Sequence, residues 1–355
     1  MKIKDVEIHP ISIPLKEPFT ISLGTIENAD NVILCIKTDD DLVGYGEAAP
    51  SPAITGNIQE CIVSGLNFIK PILIGKDPFD IPRIEEDIDR AIKENCAMKA
   101  AVDMALLDLI GKATGIPICK LLGRYRAEFR TDCTIGIKDP EEMASDVVGI
   151  VERGFDTIKV KVGTELTKDV ERIREIRDVV GYEINIRADA NQGWKQKDAV
   201  RAIKKLERYE LELIEQPVSW WDVKGLKWIK DHVDIPVMAD ESVHSPQDAM
   251  RLIEQDAVDM LNIKLMKCGG IKNGIKIANI AESVGMECMM GCMIESRVAI
   301  TAASHLVAST RNVTRVDLDS SLFLSEDPVK GGIKIDRGKI VLPDKPGLGI
   351  EGVKA

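Results

Sequence analysis

Three carboxylates, Asp189, Glu215 and Asp240, follow one another at intervals of 26 and 25 residues, and lysines at Lys159-Val160-Lys161 and Lys264 bracket them along the chain. Carboxylates gathered in one volume repel unless a cation neutralises them. An oxygen-only set with no His or Cys beside it suits Mg²⁺ better than zinc or copper. Lys159 and Lys161 are two residues apart, so on a strand they share a face. Two ammonium groups that close are expected to lower each other's pKa and free a neutral lysine as a base near neutral pH. Lysines on two sides of a metal-bound substrate could take a proton from the carbon next to a carboxylate and return it on the other face, inverting the centre, while the metal stabilises the dianionic enediolate. Taken singly, each residue has a plainer reading as a solvated strand edge or loop carboxylate. The shared register argues against that.

The elements that must position them come next. From about Glu128 the chain repeats strand, loop and helix. Strands are predicted at Arg130–Ile135, Thr157–Lys161, Ile184–Asp189, Leu211–Glu215, Val237–Asp240, Met260–Leu265, Glu287–Met290 and Arg315–Asp319. Amphipathic helices are predicted between them, among them Glu141–Arg153, Asp169–Val180, Lys197–Tyr209 and Gln247–Glu254. Eight strands roughly 25 residues apart are what a closed parallel barrel needs, and catalytic groups in such a barrel sit where strands end at the C-terminal face. Nearly every predicted strand end carries a polar group: Lys159 and Lys161, Asp189 and Asn191, Glu215, Asp240 and Glu241, Lys264, Glu295, and Asp317 with Asp319. An open doubly wound sheet is the main competitor, but no G-x-G-x-x-G turn or P-loop supports it.

Before the barrel, Val6–Ile11 and Val32–Lys37 alternate apolar and polar residues as antiparallel strands do, and Ile58–Leu122 shifts to helical spacing. The division expected is an α+β capping domain at 1–125, a barrel at 126–327 and a turn-rich segment at 328–355 that returns to the capping domain. A net charge of −11 with no basic block excludes a nucleic-acid footprint. No apolar run approaches the ~18 residues of a membrane span. The opening Met1-Lys2-Ile3-Lys4-Asp5 lacks the apolar core of a secretory signal, and eight cysteines without a C-x-x-C pair suit reduced thiols, so a cytoplasmic location is expected.

The chain resembles the enolase superfamily, in its muconate-lactonising branch, and within it the dipeptide epimerases. The resemblance is carried by Gly44-Tyr45-Gly46-Glu47-Ala48, Ile158-Lys159-Val160-Lys161-Val162-Gly163, Asp189-Ala190-Asn191-Gln192-Gly193-Trp194, Ile214-Glu215-Gln216-Pro217, Ala239-Asp240-Glu241-Ser242, Asn262-Ile263-Lys264-Leu265 and Lys345-Pro346-Gly347-Leu348-Gly349. A Lys or His base with Mg²⁺ is that superfamily's general pattern. The fold implied is α/β, a modified TIM-type (β/α)7β barrel under the capping domain. The resemblance makes Lys161 and Lys264 the two bases, with Lys159 tuning Lys161. It makes Asp189, Glu215 and Asp240 the Mg²⁺ ligands, with Asn191, Glu241 and Glu295 supporting them.

Asp317 and Asp319 form a carboxylate pair suited to a substrate cation, which in dipeptide epimerases is the dipeptide's α-ammonium. Gly24, Ile54, Thr55, Thr134, Cys292, Met293 and Ile294 are expected to line the pocket, with room for a small first residue such as Ala. Ala-Glu-specific relatives carry an Arg in the capping-domain loop, whereas Phe19–Asn28 here holds no Arg or Lys, so the expected reaction is L-Ala-L-Xaa to L-Ala-D-Xaa with a neutral or hydrophobic Xaa. The competing activities, N-acylamino-acid racemase, o-succinylbenzoate synthase and muconate cycloisomerase, have no use for Asp317 and Asp319. A non-catalytic metal- or peptide-binding barrel is the alternative of a different class. The partner expected is a small dipeptide, with neither nucleic acid nor membrane, and relatives of this kind often form homo-oligomers.

Overall fold

A computed structural model describes residues 1–354. The alternation at the start of the chain builds a long antiparallel hairpin, Ile3–Ile21 against Gly24–Thr38, with Val6 opposite Ile36 and Ile8 opposite Leu34; Val43–Ala48 adds a third strand. Phe19–Asn28, expected as a loop, is the far end of this hairpin, pairing Phe19 with Ile26 and Thr20 with Thr25. Helix Cys96–Thr114 is buried on almost every side because its Ala-rich surface packs on the sheet and on the barrel at once. The sheet lies so close that a Cβ at Gly44 or Gly46 would strike the Ala105 or Ala101 carbonyl oxygen at 2.2 or 1.9 Å. That contact requires glycine at both positions.

The barrel strands are Cys133–Ile135, Thr157–Lys161, Asn185–Asp189, Leu213–Glu215, Val237–Ala239, Met260–Lys264, Glu287–Gly291 and Val313–Val316, all parallel and neighbouring in chain order. A helix follows each of the first seven, from Pro140–Glu152 to Arg297–Ser309, and only the short 3-10 turn Ser320–Leu322 follows the eighth. The first and eighth strands share no ladder. Asp132 N–H to the Val316 carbonyl (3.2 Å) and Leu318 N–H to Thr131 Oγ1 (2.8 Å) join them instead. Inside, Leu213, Met238, Met260 and Met289 form a small apolar layer.

Two strand expectations change. Arg130–Ile135 is broken at Thr131, whose N–H bonds Gly338, so Phe129–Arg130 pairs with Lys339–Val341 while Cys133–Ile135 enters the barrel. The eighth strand ends at Val316, which places Asp317 and Asp319 beyond it, over the mouth. The tail serves both parts of the molecule: hairpin Lys334–Val341 pairs with Phe129–Arg130 just ahead of the barrel's first strand, while Leu348 N–H reaches Asp108 Oδ1 of helix Cys96–Thr114 at 2.8 Å. Among the described residues no helix is long and apolar enough to cross a membrane.

Candidate active site

Ligand atoms of Asp189, Glu215 and Asp240, from consecutive strand ends, lie within 4.8 Å of one another, and all three side chains are fully buried. One oxygen of each is taken by a neighbour: Asp189 Oδ1 by the Asn191 N–H (2.9 Å), Glu215 Oε1 by Asn262 Nδ2 (2.6 Å) and Asp240 Oδ1 by Lys267 Nζ (2.5 Å). Glu215 Oε2 has Lys159 Nζ at 2.8 Å but no aligned hydrogen bond. Burial, with repulsion from Asp189, pushes the Glu215 carboxyl up to about 7. Three sealed carboxylates, one with an oxygen left without a hydrogen bond, fit a hard divalent ion of the size of Mg²⁺.

The predicted lysines converge on this centre. Lys161 Nζ lies 2.6 Å from Asp189 Oδ2 and 3.0 Å from Asn191 Oδ1; Lys264 Nζ lies 2.7 Å from Asp240 Oδ2. The two come from the second and sixth strands, so they flank the carboxylates from opposite sides of the mouth. Burial alone would pull Lys264 down, but Asp240, Glu215 and Asp189 together raise it above the ordinary lysine value. Lys159 departs from expectation. It is 1% exposed and touches Asp317 (2.7 Å), Glu215 (2.8 Å) and Asp189 (3.1 Å). Against the pull of burial, these carboxylates raise it well above the usual lysine value, so it is held as a cation rather than brought toward neutrality by Lys161.

Asp317 and Asp319 sit together with Cys292, their ligand atoms also within 4.8 Å. Burial opposes ionisation of Asp317, yet Lys159 and Lys264 hold it down at about 2, while burial and Asp317 itself push Asp319 up to about 7. Thr134 ties the pair together, its N–H to Asp319 Oδ2 (2.5 Å) and its hydroxyl to Asp317 Oδ1 (3.3 Å).

These groups open onto a cavity of about 920 Å³ between the hairpin end, the 50–60 segment and the barrel mouth. Of the expected lining residues, Gly24, Ile54, Thr134, Cys292, Met293 and Ile294 face it. Thr55 does not; its hydroxyl closes the turn by bonding both backbone groups of Ser51 at 3.0 Å. Ser22 Oγ donates to the Asn191 carbonyl (2.7 Å), pinning the hairpin end over the mouth. The capping-side wall carries Phe19, Ile21, Leu23 and Ile26, with Phe19 stacked on Phe323 at 5.3 Å. Among the described residues, the only cations on the cavity wall are Lys159, Lys161 and Lys264, whereas exposed Glu27, Asp30 and Glu60 also line it.

Behind the wall, Glu241 accepts from Asn191 Nδ2 (3.1 Å), and burial beside Asp240 pushes it up to about 8. Glu295 accepts from Met293 N–H (2.9 Å) and is likewise pushed up to about 8, first by burial. Sequence reading missed Lys267, wholly buried in the one-turn helix after the sixth strand, and the contact of Asn262 with Glu215. A lysine inside the apolar run Leu265-Met266-Lys267-Cys268 was the available signal, since a buried lysine needs a carboxylate partner. Glu47 was also missed as a tie between the two parts. It accepts from Asn31 Nδ2 on its own side and from Ser296 and Ala299 at the start of helix Arg297–Ser309.

Residues 3–123 match the family described as mandelate racemase/muconate lactonizing enzyme, N-terminal domain, and residues 142–354 match that described as enolase C-terminal domain-like. The chain is 48% identical to the L-Ala-D/L-Glu epimerase of Clostridium acetobutylicum over 99% of both chains. Its structure is similar to that of a dipeptide epimerase from Enterococcus faecalis complexed with Mg and L-Leu-L-Tyr (45% identity, TM-score 0.97, 99% of this chain and 100% of that one). It is equally similar to a substrate-liganded L-Ala-D/L-Glu epimerase from Bacillus subtilis (44% identity, TM-score 0.98, all of both chains).

Proposed function

Because the chain belongs to the mandelate racemase and muconate-lactonizing branch of the enolase superfamily, we propose that it is a Mg²⁺-dependent dipeptide epimerase that inverts the α-carbon next to the C-terminal carboxylate. One observation carries the reading: Lys161 and Lys264 reach the same cavity from opposite sides of a buried three-carboxylate centre, with Asp317 and Asp319 beside them. Mg²⁺ held by Asp189, Glu215 and Asp240 would supply the positive charge that stabilises the substrate carboxylate as its α-carbon becomes an enediolate. Lys161 and Lys264 act as the two bases, one removing the α-proton while the other, protonated, delivers a proton to the opposite face. Lys159, kept cationic, holds Asp317 ionised for the substrate's ammonium.

The second residue of the substrate is neutral or hydrophobic. That reading is supported by the apolar capping-side wall and by the lack of any wall cation beyond the three mouth lysines, since an acidic side chain would meet Glu27, Asp30 and Glu60 instead. The first residue is small, and the location is the cytoplasm, in keeping with eight free cysteines. The test is incubation with L-Ala-L-Xaa dipeptides in D₂O with Mg²⁺, read by mass spectrometry. Deuterium should enter Ala-Leu, Ala-Phe and similar dipeptides far faster than Ala-Glu. Label confined to N-acylamino acids would replace this reading with the racemase one.

A further inference from the structure

In each of the three buried carboxylates one oxygen is already engaged by a group other than Lys159, Lys161 and Lys264, and the other faces those lysines. Asp189 gives Oδ1 to the Asn191 N–H and turns Oδ2 to Lys159 and Lys161. Glu215 gives Oε1 to Asn262 Nδ2 and turns Oε2 to Lys159. Asp240 gives Oδ1 to Lys267 Nζ and turns Oδ2 to Lys264. Two of these three engagements come from one stretch, Asn262-Ile263-Lys264-Leu265-Met266-Lys267, which leaves the sixth strand and makes one helical turn.

Lys267 is the tightest of them. Its side chain has no solvent exposure, and its ammonium meets the Asp240 carboxylate, the Asp240 carbonyl and the Asn262 carbonyl (3.0 Å). It therefore grips ligand and backbone together and steadies Asn262, which in turn grips Glu215. Gly291, on the next strand, leaves the space this needs, because a Cβ there would come within 2.7 Å of Asn262 Oδ1 and 3.0 Å of Lys264 Cε.

We propose that Lys267 and Asn262 are positioning residues that strap Asp240 and Glu215 so that each offers a single oxygen, and that this strapping selects Mg²⁺ over Ca²⁺. Mg²⁺ is small and takes six oxygens at about 2.0–2.1 Å, whereas Ca²⁺ takes 6–8 and gains from bidentate carboxylates. A carboxylate whose second oxygen is held by a buried ammonium or amide cannot turn to become bidentate. The strap lowers the affinity for the larger ion without touching substrate. This inference rests on the metal assignment above and not on which dipeptide is turned over.

The experiment is isothermal titration of the chelator-treated full-length protein with MgCl₂ and with CaCl₂, beside Lys267→Met, Lys267→Gln and Asn262→Ala, with thermal unfolding of each. Partners that orient metal ligands are typically worth about 10–100-fold in affinity. Mg²⁺ affinity should fall by that order in the Lys267 variants and by less in Asn262→Ala, while Ca²⁺ affinity falls little or rises, so the Mg²⁺/Ca²⁺ preference collapses. Folded variants that keep the wild-type preference within about twofold overturn the proposal. Should both Lys267 variants fail to fold, Asn262→Ala decides by the same criterion. Wild-type protein that binds Ca²⁺ as tightly as Mg²⁺ also overturns it. Wild-type protein that binds neither ion would instead overturn the metal reading itself.

Discussion

One barrel holds two ionic layers, and they use different cations. At the mouth, Lys159, Lys161, Lys264 and Lys267 face Asp189, Glu215, Asp240 and Asp317. Toward the other end, Arg187 bridges Asp132 (2.8 Å) and Glu212 (2.6 Å), and Arg315 bridges Glu212 (2.7 Å) and Glu287 (2.5 Å). The arginine layer runs outward to water, from Arg187 at 8% side-chain exposure to Glu287 at 49%. The lysine layer is sealed except where it meets the cavity. A guanidinium keeps its proton at any physiological pH and fixes carboxylates in a planar fork, while an ammonium is a point charge that can give its proton up. Both arginines of the lower layer hold fixed charge, as do Lys159 and Lys267 at the mouth, while the proposed mechanism asks only Lys161 and Lys264 to give up a proton. Burial and ion pairing alone would not separate the functional layer from the structural one.

The sharpest way to break this comparison is to remove one mobile proton. Lys161→Ala and Lys264→Ala should each lower epimerisation by about 10²–10⁴-fold, the range of a lost general base, and cost less stability than loss of a sole partner because Asp189 keeps Lys159 and Asp240 keeps Lys267. Lys264→Arg should be as inactive as Lys264→Ala, because a group that is always protonated cannot act as base; an active Arg variant would erase the distinction between the layers.

In the arginine layer the expectation reverses. Arg187→Met leaves Asp132 buried without its partner and should cost about 3–5 kcal/mol in chemical denaturation, while turnover per folded molecule stays within a few-fold.

A buried base that stays neutral at neutral pH gives a third point of comparison. His305 accepts the Cys119 N–H at 3.1 Å, and burial holds it down at about 4 from its ordinary 6.5. Between those values the unfolded chain binds the extra proton and the native chain does not, so stability falls as pH drops from about 6.5 toward 4, by roughly 3 kcal/mol. Denaturation of wild type and His305→Gln across this window should show the wild type losing more; parallel curves would contradict it. The smallest effect is expected at the substrate ammonium. Asp319→Asn should lower kcat/KM for dipeptides by about 10–100-fold, the worth of one charge-assisted contact, and leave Mg²⁺ binding unchanged by titration.

Most of the candidate site was legible because a parallel barrel converts strand spacing into position. Residues one βα unit apart must end on one rim, so strand spacing alone brings Asp189, Glu215, Asp240, Lys161 and Lys264 together. The residues that escaped act through contacts between different loops. Lys267 lies three residues beyond Lys264 in a turn with no strand register, and Glu47 acts across the two parts of the chain. Thr55 was misplaced because composition identifies a pocket loop but not which side chains fold back to close it. Mutual pKa lowering of Lys159 and Lys161 failed for Lys159 because counting charges along one strand omits the carboxylates that the neighbouring strands bring to the same point.

The proposed mechanism sets two lysines to work on opposite faces of one α-carbon. Its most direct test is α-proton exchange in D₂O, with Mg²⁺, of each epimer of one turned-over dipeptide by Lys161→Ala and by Lys264→Ala. Each variant should exchange the proton of a single epimer without inverting it, and the two variants should act on opposite epimers. Both variants exchanging the same epimer, or either one still inverting the centre, would contradict the two-base account.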